Sequence, residues 1–200
     1  MAHTSNNNSN TCFTPLKDWS CISVIGPDAV DFLQNQLTNS VKSITNTPAA
    51  SIASPHQQNR FAGYCSAKGR LMASFWITRQ DTAVGGANVE GTESQPAFYL
   101  FISKDLAATL AKRLSMFVLR SKVKVLDLTE SIDIYGYALE ANESRDELAK
   151  MVAISGVITA ELPAVTINQM QTKRYLLAVP KNQAMSNLQD GALQAWNWLE

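Results

Sequence analysis

Apolar and polar positions alternate along this chain in blocks that predict its elements. Ser20–Ile25 reads S-C-I-S-V-I and predicts a strand, which Gly26-Pro27 breaks. Pro27 suits the first turn of a helix, and Ala29, Phe32, Leu33 and Leu37 then fall on one helical face. Thr45–Asn59, rich in Thr, Pro, Ser, Ala and Gln, predicts a loop. Phe61–Cys65 and Leu71–Thr78 predict two strands joined by Ser66-Ala67-Lys68-Gly69-Arg70, with Gly69 where φ is positive. Asp81–Pro96 holds Gly85, Gly86 and Gly91 and predicts a polar, flexible hairpin tip.

Phe98–Ile102 predicts the next strand. Ser103 is a candidate cap for a helix whose apolar face is Leu106, Leu110, Leu114 and Phe117. Strands follow at Lys122–Leu128 and Ser131–Leu139. Ser144 and Glu147 have capping-box spacing and open a helix with Leu148, Met151 and Val152 inward, which Gly156 ends. Ala164–Ile167 and Tyr175–Val179 predict strands. A last helix, from about Gln183 to Glu200, turns Met185, Leu188, Ala192, Leu193, Trp196 and Leu199 inward. Strands and helices mix without strict β-α-β repetition, so the fold class is α+β. Residues 51–129 form a candidate ferredoxin-like insertion. Residues 16–50 and 130–200 then make a discontinuous first domain, and residues 1–15, Asn/Ser/Thr-rich at their start, form a disordered tail.

Composition narrows the function classes. Lys plus Arg equals Asp plus Glu, 17 against 17, so no global field draws the chain to nucleic acid or membrane. No apolar run approaches the roughly 18–20 residues of a membrane span, and the start lacks the charge and apolar core of a signal peptide. Three cysteines (Cys12, Cys21 and Cys65) without a C-x-x-C point to free thiols in a reducing cytoplasm, not to disulfides or zinc. With His3 and His56 the only histidines, a His-based triad or metal cluster has little material. No dinucleotide or P-loop glycine pattern occurs.

Three ordered landmarks remain: L-x-D-W at Leu16–Trp19, G-P-D-A-V-D-F-L-Q-N-Q-L-T from Gly26, and C-S-A-K-G-R from Cys65. Together they resemble the opening of the YgfZ family of folate-binding proteins, relatives of the glycine-cleavage T-protein (aminomethyltransferase). The resemblance covers roughly Leu16 to Leu199. It implies two interleaved T-protein-like α+β units, with a third, β-barrel domain absent from this chain. The family's K-G-C-Y-x-G-Q-E signature is also absent, and none of the three cysteines matches its Cys. The last helix ends without a capping Gly, so Glu200 reads as a cut rather than a natural terminus.

The candidate site residues take their roles from both readings. Trp19 offers a flat face on which a pteridine or aminobenzoate ring could stack, or it packs a hairpin. The resemblance implies folate binding there and at Trp196, with Trp198 as the alternative equivalent. Gln34 and Gln36, in a stretch resembling the family's L-Q-G-Q-[LV]-T, can bond a heterocycle edge or satisfy local backbone. Asn35 and Ser40 depart from the Gly and Asp usual there. Lys68 and Arg70 suit the carboxylates of a folate tail, or make a solvated turn. Ala73 and Ser74 stand where the aminomethyltransferases carry an Asp pair, which argues against that catalysis. Lys112, Arg113, Arg120, Lys122 and Lys124 form a basic run with Phe117 interleaved, a candidate tRNA contact or a solvated face.

The implied function is a tetrahydrofolate-binding helper, more a binding protein than an enzyme. It would support iron–sulfur cluster assembly or repair and the linked tRNA modification. A folate-dependent one-carbon transferase, or an interaction module without a ligand, is the alternative.

Overall fold

The computed structural model describes residues 12–83, 94–140, 145–167, 170–183 and 196. They form two antiparallel sheets with helices, an α+β arrangement. In chain order the elements are β1 (Cys12–Pro15), β2 (Trp19–Ile25), α1 (Ala29–Gln34), β3 (Asn59–Cys65), β4 (Leu71–Arg79), β5 (Thr82–Ala83), β6 (Ser94–Gln95), β7 (Ala97–Ser103), α2 (Lys104–Met116), β8 (Lys124–Asp127), β9 (Ile132–Glu140), α3 (Asp146–Val152), β10 (Ile158–Ile167) and β11 (Met170–Pro180). One sheet has the order β1-β9-β11-β10 and the other β3-β4-β7-β2-β8, while β5 and β6 pair with each other. The described residues contain no closed barrel.

Alternation along each strand separates the two faces of the five-stranded sheet. Ile22 and Val24 of β2, Phe75 and Ile77 of β4, and Phe98, Leu100 and Ile102 of β7 point to one side. There they meet Ala29, Phe32 and Leu33 of α1 and Ala107, Leu110, Ala111 and Leu114 of α2. The intervening residues Trp19, Cys21, Trp76, Tyr99 and Phe101 point to the other side. They meet Ile134, Ala138, Ile158, Ala160, Leu162, Leu176 and Ala178 of the four-stranded sheet. The back of that second sheet packs on α3 through Leu148, Met151 and Val152.

Hydrogen bonds tie the sheets together where loops cross. Asn59 Nδ2 donates to Ala53 O at 2.9 Å and to Glu161 O at 2.7 Å. Leu16 N donates to Ile134 O at 2.8 Å, and Leu128 N to Cys21 O at 2.9 Å. Sheet membership cuts across the expected domain bounds. Trp19–Ile25 hydrogen-bonds to both Ala97–Ser103 and Lys124–Asp127, so a strand of the first block lies inside the sheet of residues 59–127. Pairing partners so far apart in sequence leave no local signal.

Local departures have physical causes. α1 ends at Gln34, with Asn35 as its C-cap, and Leu37 forms a bridge with Tyr64 instead of a third helical turn. Phe117 is the C-cap of α2 and is half exposed. Ser103 does stand at the N-cap of α2, but its hydroxyl donates to the Asp105 carboxylate and caps no backbone N–H. α3 ends at Val152 with Ala153 as C-cap, three residues before Gly156. Ser144, the tip of the Asp81–Pro96 hairpin and, apart from Gln183 and Trp196, the expected last helix lie outside the described residues.

Candidate functional site

Trp19 opens β2 opposite Ser103, the residue before α2. Its backbone N–H donates to Leu16 O at 3.1 Å, which folds Leu16–Trp19 into a tight turn between the two sheets. Leu16 is buried in the contact between the sheets, and Trp19 is half-buried at its margin. The indole therefore lines a groove of about 350 Å³ together with Lys17, Lys104, Lys181, Asp133 and Tyr135. Lys181 Nζ donates to Thr129 O at 3.1 Å. The ion pairs among the described residues are Asp31–Lys42 and Arg79–Asp81, so none of the three lysines, and not Asp133, takes part in one. An apolar ring face, cations and one carboxylate thus meet around one small space.

Trp196 lies elsewhere in the same face. Only 1% exposed, it belongs to the cluster between the sheets, with Leu16, Cys21 and Phe101. Its ring passes over Gly136 so closely that a Cβ there would lie 2.6 Å from two of its carbons. Glycine at 136 is what lets the indole fit, and in this conformation Trp196 is a packing residue. Trp198 lies outside the described residues.

Gln34 spends its acceptor on the chain itself. Its Oε1 accepts from Ser40 Oγ at 3.1 Å, Val41 N at 3.0 Å and Lys42 N at 3.3 Å, which closes the loop after α1. Gln36 is half-buried one turn away. Lys68 and Arg70 are exposed at the tip of the β3–β4 turn, where Gly69 has φ 74°, as its place in the sequence requires. That turn contributes nothing to the lining of the Trp19 groove. Ala73 is buried beneath α2's side of the sheet and Ser74 is exposed on the opposite side, so neither supplies a carboxylate.

The basic run curls around the end of α2. Lys112, Arg120, Lys122 and Lys124 are exposed and Arg113 is half-buried. Met116, Phe117 and Leu119 stand out between them, Leu119 at 85% exposure. The backbone N–H of Lys122 donates to Asp28 Oδ2 at 2.7 Å.

A second groove, of about 410 Å³, was not singled out by the sequence motifs. Phe61 and Trp76 face each other across β3 and β4 with ring centroids 5.3 Å apart, and Asn59, Arg60 and His56 stand beside them. The signal was present as alternation: Phe61 and Trp76 occupy the strand positions skipped by the core residues Ala62, Tyr64, Phe75 and Ile77.

Titratable groups follow burial. Cys21 is fully buried, and removal from water pushes its thiol well above the ordinary range, so it is inert in the folded chain. Burial also pushes the Tyr99 and Tyr175 hydroxyls up to about 12. Among the described residues no group of three or more His, Cys, Asp or Glu side chains could hold a metal. Nor is any helix among them long and apolar enough to cross a membrane.

No family model matches the chain. It is 25% identical over 135 residues to the iron–sulfur cluster assembly factor IBA57 homolog, mitochondrial, of Dictyostelium discoideum, a match covering 62% of this chain and 31% of that protein. The Neurospora crassa protein of the same name is 34% identical over 121 residues, covering 58% and 23%. The tRNA-modifying protein YgfZ of Edwardsiella ictaluri is 37% identical over 65 residues, covering 32% and 17%. The chain thus spans about a third or less of the length of these relatives. Among solved structures, the glycine cleavage system aminomethyltransferase T of Bartonella henselae aligns with TM-score 0.56 at 14% identity, over 85% of this chain and 42% of that one, and so shares its fold. Over the part that it spans, the chain is similar in sequence to IBA57 and YgfZ proteins and in fold to the glycine-cleavage T-protein aminomethyltransferase.

Proposed function

We propose that this chain binds a reduced folate in the Trp19 groove and serves as a helper in iron–sulfur cluster assembly or repair and the tRNA modification linked to it. The observation that carries the reading is the meeting of the half-buried Trp19 indole with Lys17, Lys104, Lys181 and Asp133 around 350 Å³. A folate has a flat ring, a benzoyl spacer and glutamate carboxylates. The indole suits the ring, Asp133 suits the N–H edge of a pterin, and the lysines suit the carboxylates. The names of the relatives, iron–sulfur cluster assembly factor and tRNA-modifying protein, support the second half of the reading. Iron–sulfur clients are then its partners, and the cluster is cargo.

Gln34 and Trp196 enter this reading as supports that shape the fold, and Lys68 and Arg70 as cations outside the groove. The one-carbon transferase reading draws no support from the β4 strand, where Ala73 and Ser74 offer no carboxylate. The working compartment is a reducing one: the cytoplasm, as expected from the free thiols, or the mitochondrion named for the eukaryotic relatives.

Titration of tetrahydrofolate by tryptophan fluorescence and calorimetry tests the site. Saturable binding that weakens in Trp19→Ala and in Lys104→Glu supports the reading. Absence of any response would leave a T-protein-like interaction module.

A further inference from the structure

The tip where α2 passes into β8 joins two surface features that elsewhere stay apart. Met116, Phe117 and Leu119 are three of the six large apolar side chains exposed among the described residues, and they fall within four positions of one another. Lys112 and Arg113 precede them, and Arg120, Lys122 and Lys124 follow. Lys112 and Met116 are one turn apart and so share the exposed side of α2. No Asp or Glu occurs between Asp105 and Asp127, and none of the five cations is in an ion pair among the described residues.

The backbone holds this tip in place. Val118 and Val123 pack against the core beneath, while Leu119 between them stands out at 85% exposure. Phe117 N donates to Leu114 O at 3.0 Å and Val123 N to Ser121 O at 2.9 Å. Lys122 N is fixed by Asp28 Oδ2, and Lys122 O passes so close to Gly26 that a Cβ there would lie 2.1 Å from it. The apolar side chains are therefore presented on an anchored loop. A cluster of that kind, rimmed by charge, marks a contact surface.

We propose that this tip docks on the surface of an anionic lipid bilayer. Leu119, with Met116 and Phe117, enters the boundary between headgroups and acyl chains, and the five cations meet the lipid phosphates. The chain's charges balance overall, so the attraction is local. An RNA strand would use the cations but not Met116 or Leu119, because bases stack on aromatic rings and only Phe117 is one. A bilayer supplies negative charge and apolar depth without any match of shape. That suits side chains that line neither of the grooves described above. The tip shares no residue with the Trp19 groove, and the two readings stand or fall separately.

Flotation of the whole chain with vesicles tests this, one set of phosphatidylcholine alone and one with an equal share of phosphatidylglycerol. The chain should float with the anionic set, hardly with the neutral one, and less as salt rises. Leu119→Ser should weaken binding at least about tenfold by removing the inserted side chain. Lys122→Gln with Lys124→Gln should weaken it about fivefold for each cation lost. Both variants change exposed side chains, and an unchanged melting temperature shows that the fold is kept. Leu119→Trp should retain binding, and its added emission should shift to the blue on anionic vesicles alone. Failure to float with the anionic set overturns the proposal, as does binding untouched by Leu119→Ser. So does binding of tRNA that needs Lys122 and Lys124 but not Leu119 and outcompetes the vesicles, which would give the tip to RNA.

Discussion

On one face of the five-stranded sheet, Ile22, Val24, Phe75, Ile77, Phe98, Leu100 and Ile102 meet two helices and exclude water. On the other, the same strands present Trp19, Cys21, Trp76, Tyr99 and Phe101, and a second sheet covers them only in part. The first face is aliphatic and phenyl. The second gathers three of the chain's four tryptophans (19, 76 and 196), and the open grooves lie at its margins. The contrast separates two tasks. A sealed face contributes stability through close packing, whereas a partly covered face with wide aromatic rings leaves places where a planar molecule can enter.

Substitutions can break or sharpen that contrast. The largest effect is expected on the sealed face: Phe75→Ala should cost about 3–5 kcal/mol in denaturant unfolding, because the cavity it leaves lies between sheet and helices. A cost near that of an exposed site would mean that the face is less closely packed than described. Next comes Gly136→Ala on the covered part of the second face, expected to cost about 1–3 kcal/mol through the collision with Trp196. Combining it with Trp196→Leu should recover part of that loss, and a purely additive double variant would argue against the contact.

Alkali probes the same face. Tyr99 is held up to about 12 by burial, whereas an unfolded tyrosine ionises near 10. Its folded value is the higher one, so its contribution, about 3 kcal/mol, is complete below pH about 10 and is lost as the pH climbs toward 12. Tyr175, raised to the same value, adds to the loss, and Cys21, whose unfolded thiol ionises at about 8.5, begins it earlier. The melting temperature should therefore hold to about pH 8 and fall beyond it, most steeply above about pH 10; a flat profile to about pH 12 would show that none of the three is kept from ionising by the fold. At the groove, Trp19→Ala should weaken tetrahydrofolate binding by more than about 1 kcal/mol while costing less stability than Phe75→Ala. Unchanged affinity removes Trp19 from the site. The smallest effect belongs to Lys122→Glu with Lys124→Glu, which should leave folate binding intact. If the basic run meets tRNA, the pair should lower the salt slope of that binding by about one for each phosphate no longer neutralised. A slope unmoved by the double reversal rejects the patch.

The sealed face was legible in the sequence, because period-two strands and i, i+3, i+4 helices write their buried residues in order. On α2 the expected face was Leu106, Leu110, Leu114 and Phe117; Leu110 and Leu114 are buried, but Leu106 is only partly covered and Phe117 is half exposed, and Ala107 and Ala111 complete the buried stripe. Strand pairing was not legible: β2 lies between β7 and β8, and no local feature of Trp19–Ile25 names those neighbours. At the candidate site, Trp19 was marked by its motif. The three lysines gathered near it come from Lys17, Lys104 and Lys181, too far apart in sequence to form a run. Gln34 shows the opposite case. Its motif suggested a ligand, yet three donors within the next eight residues take its oxygen.

The topology also sets an order for synthesis. Cys12–Pro15 and Trp19–Ile25 are separated by a three-residue turn, yet they enter different sheets. As the chain leaves the ribosome, β2 has all its partners once Asp127 has emerged. β1 gains its partner only with Ile132–Glu140, and the rest of its sheet only with Pro180. The five-stranded sheet can thus close while the first strand of the other still hangs free. A nascent chain halted when Asp127 has just cleared the ribosomal tunnel should resist protease across Trp19–Asp127 and be cut at Cys12–Pro15.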